Sequence, residues 1–332
     1  MVAMQNRTIA VTGATGLIGS HLLPVLLGKG YQLRVLSRHV QKDRPGITQI
    51  QGDIRCASAV RNMMRGSDAV IHLAGVAHAS LRSQKEIEEA EQINVGGTRS
   101  VLAAAENAGV ERILLVSSAH VYAGQEGTEL DEQSPTACDS FYSRTKLIVE
   151  QAALEAASAN RLAAVIVRPC LTYGPGVRFN LESLMRAIQG HYYFHIRGEN
   201  PMRSFLSAGN AAKAITHLLQ SGENGRIYNL ADQTPMPLVE FVNSLADLMH
   251  VSRPIHLPLF AIRAAIVGAA PLQRMGLRLP VSQEALRKLT TSFSLDVKAL
   301  ASTGFQWLDD GLATRKRMVD VYLASREHGP VT

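Results

Sequence analysis

Residues 7–19 read Arg7-Thr8-Ile9-Ala10-Val11-Thr12-Gly13-Ala14-Thr15-Gly16-Leu17-Ile18-Gly19. Arg7 to Val11 is a β-branched, apolar run of strand length. Three glycines at a spacing of three follow it. Leu17 to Lys29 then has a helical pattern ended by Gly30, with Pro24 predicting a kink or a lost backbone bond inside it. In a strand-turn-helix setting each glycine has a task. Gly13 turns the chain, Gly16 lets the backbone approach a pyrophosphate, and Gly19 lets helix and sheet pack closely. The helix N-terminus presents unpaired N–H groups to the phosphates. Gly13, Thr15, Gly16, Leu17, Ile18 and Gly19 are therefore candidate dinucleotide-binding residues.

Outward from this segment the pattern repeats. Leu33–Leu36, Ala69–Leu73, Arg112–Ser117 and Ala163–Val167 read as strands, and Thr98–Asn107 and Ser143–Ala157 as helices between them. Strands alternating with helices predict an α/β fold, a doubly wound parallel sheet covered on both faces. After Arg168-Pro169 comes the turn cluster Tyr173-Gly174-Pro175-Gly176. A strand at Ser204–Ser207, a helix at Ala211–Gln220 and a last sheet strand at Arg226–Leu230 follow. From Pro235 the chain is helical and irregular. The expected division is a nucleotide-binding domain of residues 1–170 with 203–234, and a smaller, mostly helical substrate-binding lobe of 171–202 with 235–332.

Composition excludes several classes. Of 332 residues, 46% are hydrophobic and 19% charged, which supports a packed core and not a disordered chain. Three cysteines, Cys56, Cys138 and Cys170, are too few and scattered for a disulfide framework or a zinc site, and no metal is expected. The N-terminal residues lack a signal-peptide pattern, so a cytoplasmic location is expected. Lys and Arg number 34 against 28 Asp and Glu, but no basic cluster of nucleic-acid-binding type appears. The densest run, Arg315-Lys316-Arg317, reads as a solvated helix face. The apolar stretch 254–272 is interrupted by Pro258, Arg263 and Pro271. It reads as a buried helix pair, with an interfacial helix as the alternative and no spanning segment.

The end of the second strand bears on the nucleotide. An NAD site places Asp or Glu there for the ribose hydroxyls. This chain has Ser37-Arg38, a pair suited to a ribose phosphate. NADP is therefore expected, with NAD as the alternative. Asp53, in Gly52-Asp53-Ile54 at the end of a third strand, can accept from an adenine amino group.

Tyr142-Ser143-Arg144-Thr145-Lys146 places Tyr and Lys on one helix face. An ammonium beside a phenol favours its ionised form, so Tyr142 can exchange a proton with a carbonyl or an alcohol. Upstream, at the end of a predicted strand, stands Val116-Ser117-Ser118-Ala119-His120-Val121-Tyr122. Ser118 can bond the same substrate oxygen. Glycine cradle, serine and Tyr-Lys pair occur in the order that one hydride-transfer site requires.

These motifs, with His72-Leu73-Ala74, Asn94-Val95-Gly96-Gly97-Thr98, Arg168-Pro169 and Tyr173-Gly174-Pro175-Gly176, resemble an extended short-chain dehydrogenase/reductase of the NAD-dependent epimerase/dehydratase family. The resemblance covers most of the chain. It implies a Rossmann-like fold and an enzyme acting largely on nucleotide sugars. It further implies that Leu73, Ala74, Ser117 and Pro169 line the cofactor with Ile54, that Asn94 supports the site behind the tyrosine, and that Ser118, Tyr142 and Lys146 form the catalytic triad. Asn94 as a helix cap and His72 as a core residue are the plainer readings of those two positions.

One departure narrows the chemistry. The family's 4,6-dehydratases carry Asp-Glu directly after the catalytic Ser/Thr; here Ala119-His120 stands there. That disfavours dehydration and leaves a ketoreductase or an epimerase. Arg178-Phe179-Asn180-Leu181 and Arg203-Ser204-Phe205-Leu206 resemble bacterial surface-polysaccharide enzymes that reduce a 4-keto group on a UDP-linked 6-deoxy-N-acetylhexosamine. In that reading Asn180 and Arg203 contact the nucleotide diphosphate, since a guanidinium fork suits it. The plainer readings are a helix N-cap for Asn180 and a surface ion pair for Arg203. Arg274, Arg278 and Arg287 are further basic candidates, and Cys170 reads as a buried thiol. An NAD-dependent UDP-sugar 4-epimerase, a reductase of a non-sugar ketone or aldehyde, and a cofactor-sensing binding protein stay open. The alanine-rich helices suggest a homodimer.

Overall fold

The computed structural model describes residues 7–39, 43–76, 83–122, 127–264 and 283–327. Seven strands form one sheet: β1 (Thr8–Thr12), β2 (Gln32–Ser37), β3 (Ile47–Gln51), β4 (Ala69–His72), β5 (Arg112–Val116), β6 (Ala163–Pro169) and β7 (Arg226–Leu230). Their spatial order is β3-β2-β1-β4-β5-β6-β7, every neighbouring pair parallel. The direction of winding reverses between β1 and β4. In such sheets the crevice beyond the strand C-termini at that point receives ligands.

The helices used below are α1 (Leu17–Gly28), α2 (Ala57–Met64), α3 (Thr98–Ala108), α4 (Phe141–Ser158), α5 (Asn180–Gln189), α6 (Ala208–Ser221), α7 (Leu238–Leu248) and α8 (Gly311–Glu327). The strands are apolar almost without interruption because both faces of the sheet are covered. Ile9, Val11 and Leu114 on one face pack with Leu22 and Leu26 of α1 and Ile215 and Leu218 of α6. Ala10, Val70 and Ile113 on the other pack with Val101 of α3 and Val149 and Ala153 of α4. The doubly wound α/β fold expected from the sequence is the fold observed. Helix α1 continues through Pro24, which is exposed. The carbonyl left without its amide partner there belongs to Ser20, also on the exposed side.

The strand expected at Ser204–Ser207 forms at Phe205–Ser207 but does not join this sheet. It pairs in parallel with Leu171–Tyr173 in a separate two-stranded sheet. The physical reason is that β5 and β7 already occupy both edges of β6. A second core lies beyond, built on Leu181 and Met185 of α5, Phe241 and Leu245 of α7, and Met318 and Tyr322 of α8. Phe205 stacks on Phe241 at 3.8 Å, and Tyr173 meets Phe241 edge-on at 5.8 Å.

The basic run in α8 needs a correction. Lys316 and Arg317 are exposed, but Arg315 is buried, with its guanidinium 5.9 Å from the Phe241 ring. Helical spacing explains this: Arg315 shares a face with Met318, Val319 and Tyr322, which form the lobe core. Of the stretch 254–272, only 254–264 lie within the described residues; Ile255 and Phe260 there are exposed. Among the described residues no helix is long and apolar enough to cross a membrane.

Candidate active site

The cradle geometry follows from its glycines. Gly13 has φ +70°, and a Cβ there would stand 2.6 Å from Ala74 N. A Cβ at Gly19 would run into Gly13 O and, at 2.7 Å, Ala14 Cα. Gly16 is different: it is exposed, and a Cβ would meet only Gly13 O, at 3.3 Å. That contact with backbone is already tight, and the bare backbone at Gly16 also leaves room for a phosphate to approach closely. The N-terminus of α1 has no side-chain cap and no acidic residue in its first turn, which fits a diphosphate. Thr15 is exposed there, with Leu17 and Ile18 half-buried.

Leu73 and Ala74 leave β4 half-buried, and Ala74 N–H donates to Thr12 Oγ1 at 3.2 Å, joining the two strand ends that flank the crevice. His72 is a core residue: it is fully enclosed, bonded to Thr12 Oγ1 (2.6 Å) and Thr98 Oγ1 (2.9 Å). Burial pushes it down to about 3, the Lys146 charge adding to the effect. It stays neutral and is not a proton donor at ordinary pH.

At the end of β2, Ser37 Oγ donates to His39 O at 2.9 Å, and Arg38 is exposed. Asp53 is held by both sides of the Arg55 guanidinium, Nε at 2.8 Å and Nη2 at 2.9 Å. That bond holds its carboxyl down to about 2, with a smaller contribution from Arg38. Arg55 was not singled out from the sequence; it lies two residues from its partner, a local signal that could have found it. Ile54 is buried, and a Cβ at Gly97 would stand 2.8 Å from its Cγ2, so the side chain belongs to the core beneath the crevice. Pro169 and Cys170 are buried at the end of β6; burial pushes the Cys170 thiol up.

Tyr142 and Lys146 stand one turn apart on α4, which opens with reciprocal caps between Ser140 and Ser143. Lys146 Nζ donates to Val116 O at 2.9 Å, anchoring the helix to the end of β5, and lies 5.7 Å from the Tyr142 ring centroid. Ser118 follows β5, and its Oγ accepts the His120 N–H at 3.1 Å. Asn94 sits in a π-helical turn, Gln92–Gly97, of the kind often found at functional sites. Its amide is not a helix cap. Oδ1 accepts from Val76 N (2.7 Å), while Nδ2 donates to Val76 O (3.1 Å) and Thr145 Oγ1 (3.3 Å). Gly75 leaves an opening on this group: a Cβ there would be 3.5 Å from Lys146 Nζ and 3.3 Å from Asn94 Oδ1.

Behind the serines lies a buried polar chain. Ser117 Oγ donates to Glu150, which pairs with Arg168 through Nη2–Oε2 at 2.7 Å. Arg168 Nη1 donates to Tyr122 OH (2.7 Å), and Tyr122 OH to Asn229 Oδ1 (3.0 Å). Glu150 was missed by sequence reasoning. The signal was present: it follows Lys146 by one helical turn.

Asn180 is the first residue of α5 and exposed; the capping position is Phe179, at φ +60°. Arg203 is half-buried on the short strand Met202–Arg203, between Met236 and Phe293. Tyr193 nearby is pushed up to about 12 by burial, which the Arg203 charge opposes. Arg287 is exposed; Arg274 and Arg278 lie outside the described residues.

Residues 9–231, from β1 to just past β7, match the model of the NAD dependent epimerase/dehydratase family. The chain belongs to this family. It is an enzyme of the epimerase/dehydratase type, and the extended short-chain dehydrogenase/reductase resemblance read from its motifs is correct. Similar relatives include a 4-hydroxy-2-methyl-3-oxo-4-farnesyl-3,4-dihydroquinoline-1-oxide ketoreductase of Stigmatella aurantiaca, 28% identical over 332 residues and 96% of each chain. Another is an N-acetyl-alpha-D-glucosaminyl-diphospho-ditrans,octacis-undecaprenol 4-epimerase of Escherichia coli O157:H7, 26% identical over 91% of each chain. The epimerase/dehydratase fold is shared with DesIV, a dTDP-glucose 4,6-dehydratase from Streptomyces venezuelae solved with NAD and TYD bound. The TM-score is 0.76, with 22% identity over 97% of this chain and 99% of that one.

Proposed function

We propose that the chain is an NADPH-dependent reductase acting on the 4-keto group of a UDP-linked 6-deoxy-N-acetylhexosamine. The observation that carries this reading is a single proton-donating set, Ser118, Tyr142 and Lys146, beside the nucleotide crevice, with Ala119-His120 where elimination of water would need both an acid and a base. The full-length similarity to a protein named a ketoreductase supports the same chemistry. The cofactor preference rests on the end of β2, where Ser37 stands in place of the ribose-binding carboxylate and exposed Arg38 follows it. The alanine-rich α3 and α4 are read as the face through which two copies pair.

A bound dihydronicotinamide supplies the hydride. The protein handles the proton. Tyr142 gives its hydroxyl proton to the carbonyl oxygen as charge develops there. Ser118 Oγ already accepts the His120 N–H, so its own hydrogen is available to that oxygen. Lys146, pinned on Val116 O, keeps a positive charge beside the phenolate left behind. The exposed opening at Gly75 is where a ribose hydroxyl would reach Lys146. Asn180 and Arg203 are assigned to the diphosphate of the substrate.

The test is NADPH oxidation with a UDP-linked 4-keto-6-deoxy-N-acetylhexosamine. Turnover is expected, and Arg203→Ala should raise KM for the sugar nucleotide by about 10- to 100-fold, the loss of a hydrogen bond to a charged group. Purified protein holding stoichiometric, non-exchanging NAD would favour a 4-epimerase instead. A second reading, reduction of an apolar ketone without a nucleotide, draws on the ketoreductase relative and on exposed Ile255 and Phe260. There Arg203→Ala would leave kcat/KM unchanged. Separately, Arg38→Ala should lower kcat/KM with NADPH by about 10- to 100-fold and leave NADH kinetics within about twofold; steady-state assays with both cofactors measure it.

A further inference from the structure

We infer that His120 is the group that returns a proton to Tyr142 after each turnover. The inference rests on the reductase reading, since only net reduction consumes a proton at Tyr142 in every cycle.

The uncharged polar groups on the inner side of Tyr142 are bonded within the protein, and Lys146 uses one of its three N–H donors there. Lys146 is 7% exposed and donates to Val116 O. Both donors of the Asn94 amide are used, on Val76 O and Thr145 Oγ1, and its oxygen accepts from Val76 N. Thr145 Oγ1 itself donates to Tyr142 O at 2.9 Å. His72, next inward, is enclosed between Thr12 and Thr98. The outer side reaches solvent through His120. The turn Ala119–Tyr122 carries His120 exposed, its ring 6.0 Å from the Tyr142 ring at 48°. Its backbone N–H donates to Ser118 Oγ, which ties the turn to that serine. An imidazole both donates and accepts at its two nitrogens, and it titrates nearer to neutral pH than any other side chain. It is the kind of group that passes a proton from water to a half-buried acceptor.

The balance is as follows. Hydride from NADPH forms a C–H bond at the carbonyl carbon; the ketone is reduced and NADPH oxidised. The Tyr142 O–H bond breaks as the new alcohol O–H forms. The phenolate then takes a proton from the His120 imidazolium, directly or through one water, and the imidazole is reprotonated by solvent.

The experiment compares wild type, His120→Ala, His120→Gln and Tyr142→Phe. Substrates are the UDP-linked 4-keto sugar and, in a parallel arm, a simple aliphatic α-hydroxyketone, each with NADPH. Expected for both His120 variants is a fall in kcat of about 100-fold, the low end for a positioned proton donor, with KM and NADPH affinity within about twofold of wild type. Added imidazole should restore turnover to His120→Ala in a saturating manner, and not to Tyr142→Phe. A change confined to KM, an unchanged kcat, or a loss that imidazole does not relieve would overturn the relay while leaving the reductase reading standing. NADPH binding by fluorescence shows that each variant is folded. Wild-type protein inactive on both substrates would overturn the reductase reading, and the relay with it.

Discussion

Tyr142→Phe is expected to lower turnover by about 10²- to 10⁴-fold, the range for loss of a positioned proton donor, with NADPH affinity within about twofold. The substitution removes one oxygen. The ring stays half-buried on α4, with Lys146 Nζ and the His120 ring still beside it. Lys146 keeps its bond to Val116 O, so the join between α4 and β5 survives. What disappears is the proton for the developing alkoxide, a group that acts in the transition state and contributes little to ground-state binding. Single-turnover NADPH oxidation and a fluorescence titration of NADPH separate the two quantities. Near-normal turnover would refute the assignment of Tyr142.

The second large effect concerns stability. Glu150 and Arg168 form an ion pair whose side chains are 4% and 5% exposed. Removing one partner leaves the other charge buried and unpaired, which costs about 3–5 kcal/mol. Glu150→Leu and Arg168→Met should each fall in that range in urea denaturation. The double variant should cost clearly less than the two together, because neither charge is then stranded. Additive losses would mean that the two side chains act independently. Activity gives a further readout. Ser117 Oγ donates to Glu150, and Ser118 is the next residue, so loss of the carboxylate should also disturb the serine proposed to bind the substrate oxygen.

The fold was legible because its signals are local and periodic. Apolar runs of strand length marked six of the seven sheet strands to within a residue or two, and the third was marked by its Gly-Asp end. The strand at 205–207 was legible as a strand but not in its pairing, since edge occupancy is a property of the assembled sheet. Tyr142, Lys146 and Ser118 were proposed from motif order alone, and the structure puts the first two one turn apart on α4, with Lys146 bonded to the end of β5. Glu150 was harder: its place one turn after Lys146 was visible, but a carboxylate on a helix looks like a surface one until its guanidinium, on β6, is known. Arg315 shows the same limit in reverse, a charge within a basic run that helical phase turns inward. Arg55 escaped notice because a carboxylate suited to a ligand is equally suited to a neighbour.

Helix α8 completes the lobe core, where Met318 and Tyr322 meet residues as distant in the chain as Leu181 and Phe241. During synthesis this order has a consequence. The sheet is complete in sequence once Arg226–Leu230 leaves the ribosome, and the nucleotide crevice can form then. Leu181, Met185 and Phe241 must wait for residues 311–327 before their apolar faces are covered. A nascent chain arrested between those points would hold a folded sheet and a sticky, unfinished lobe. It would be a natural client for chaperones, and early dinucleotide binding would stabilise only its first half.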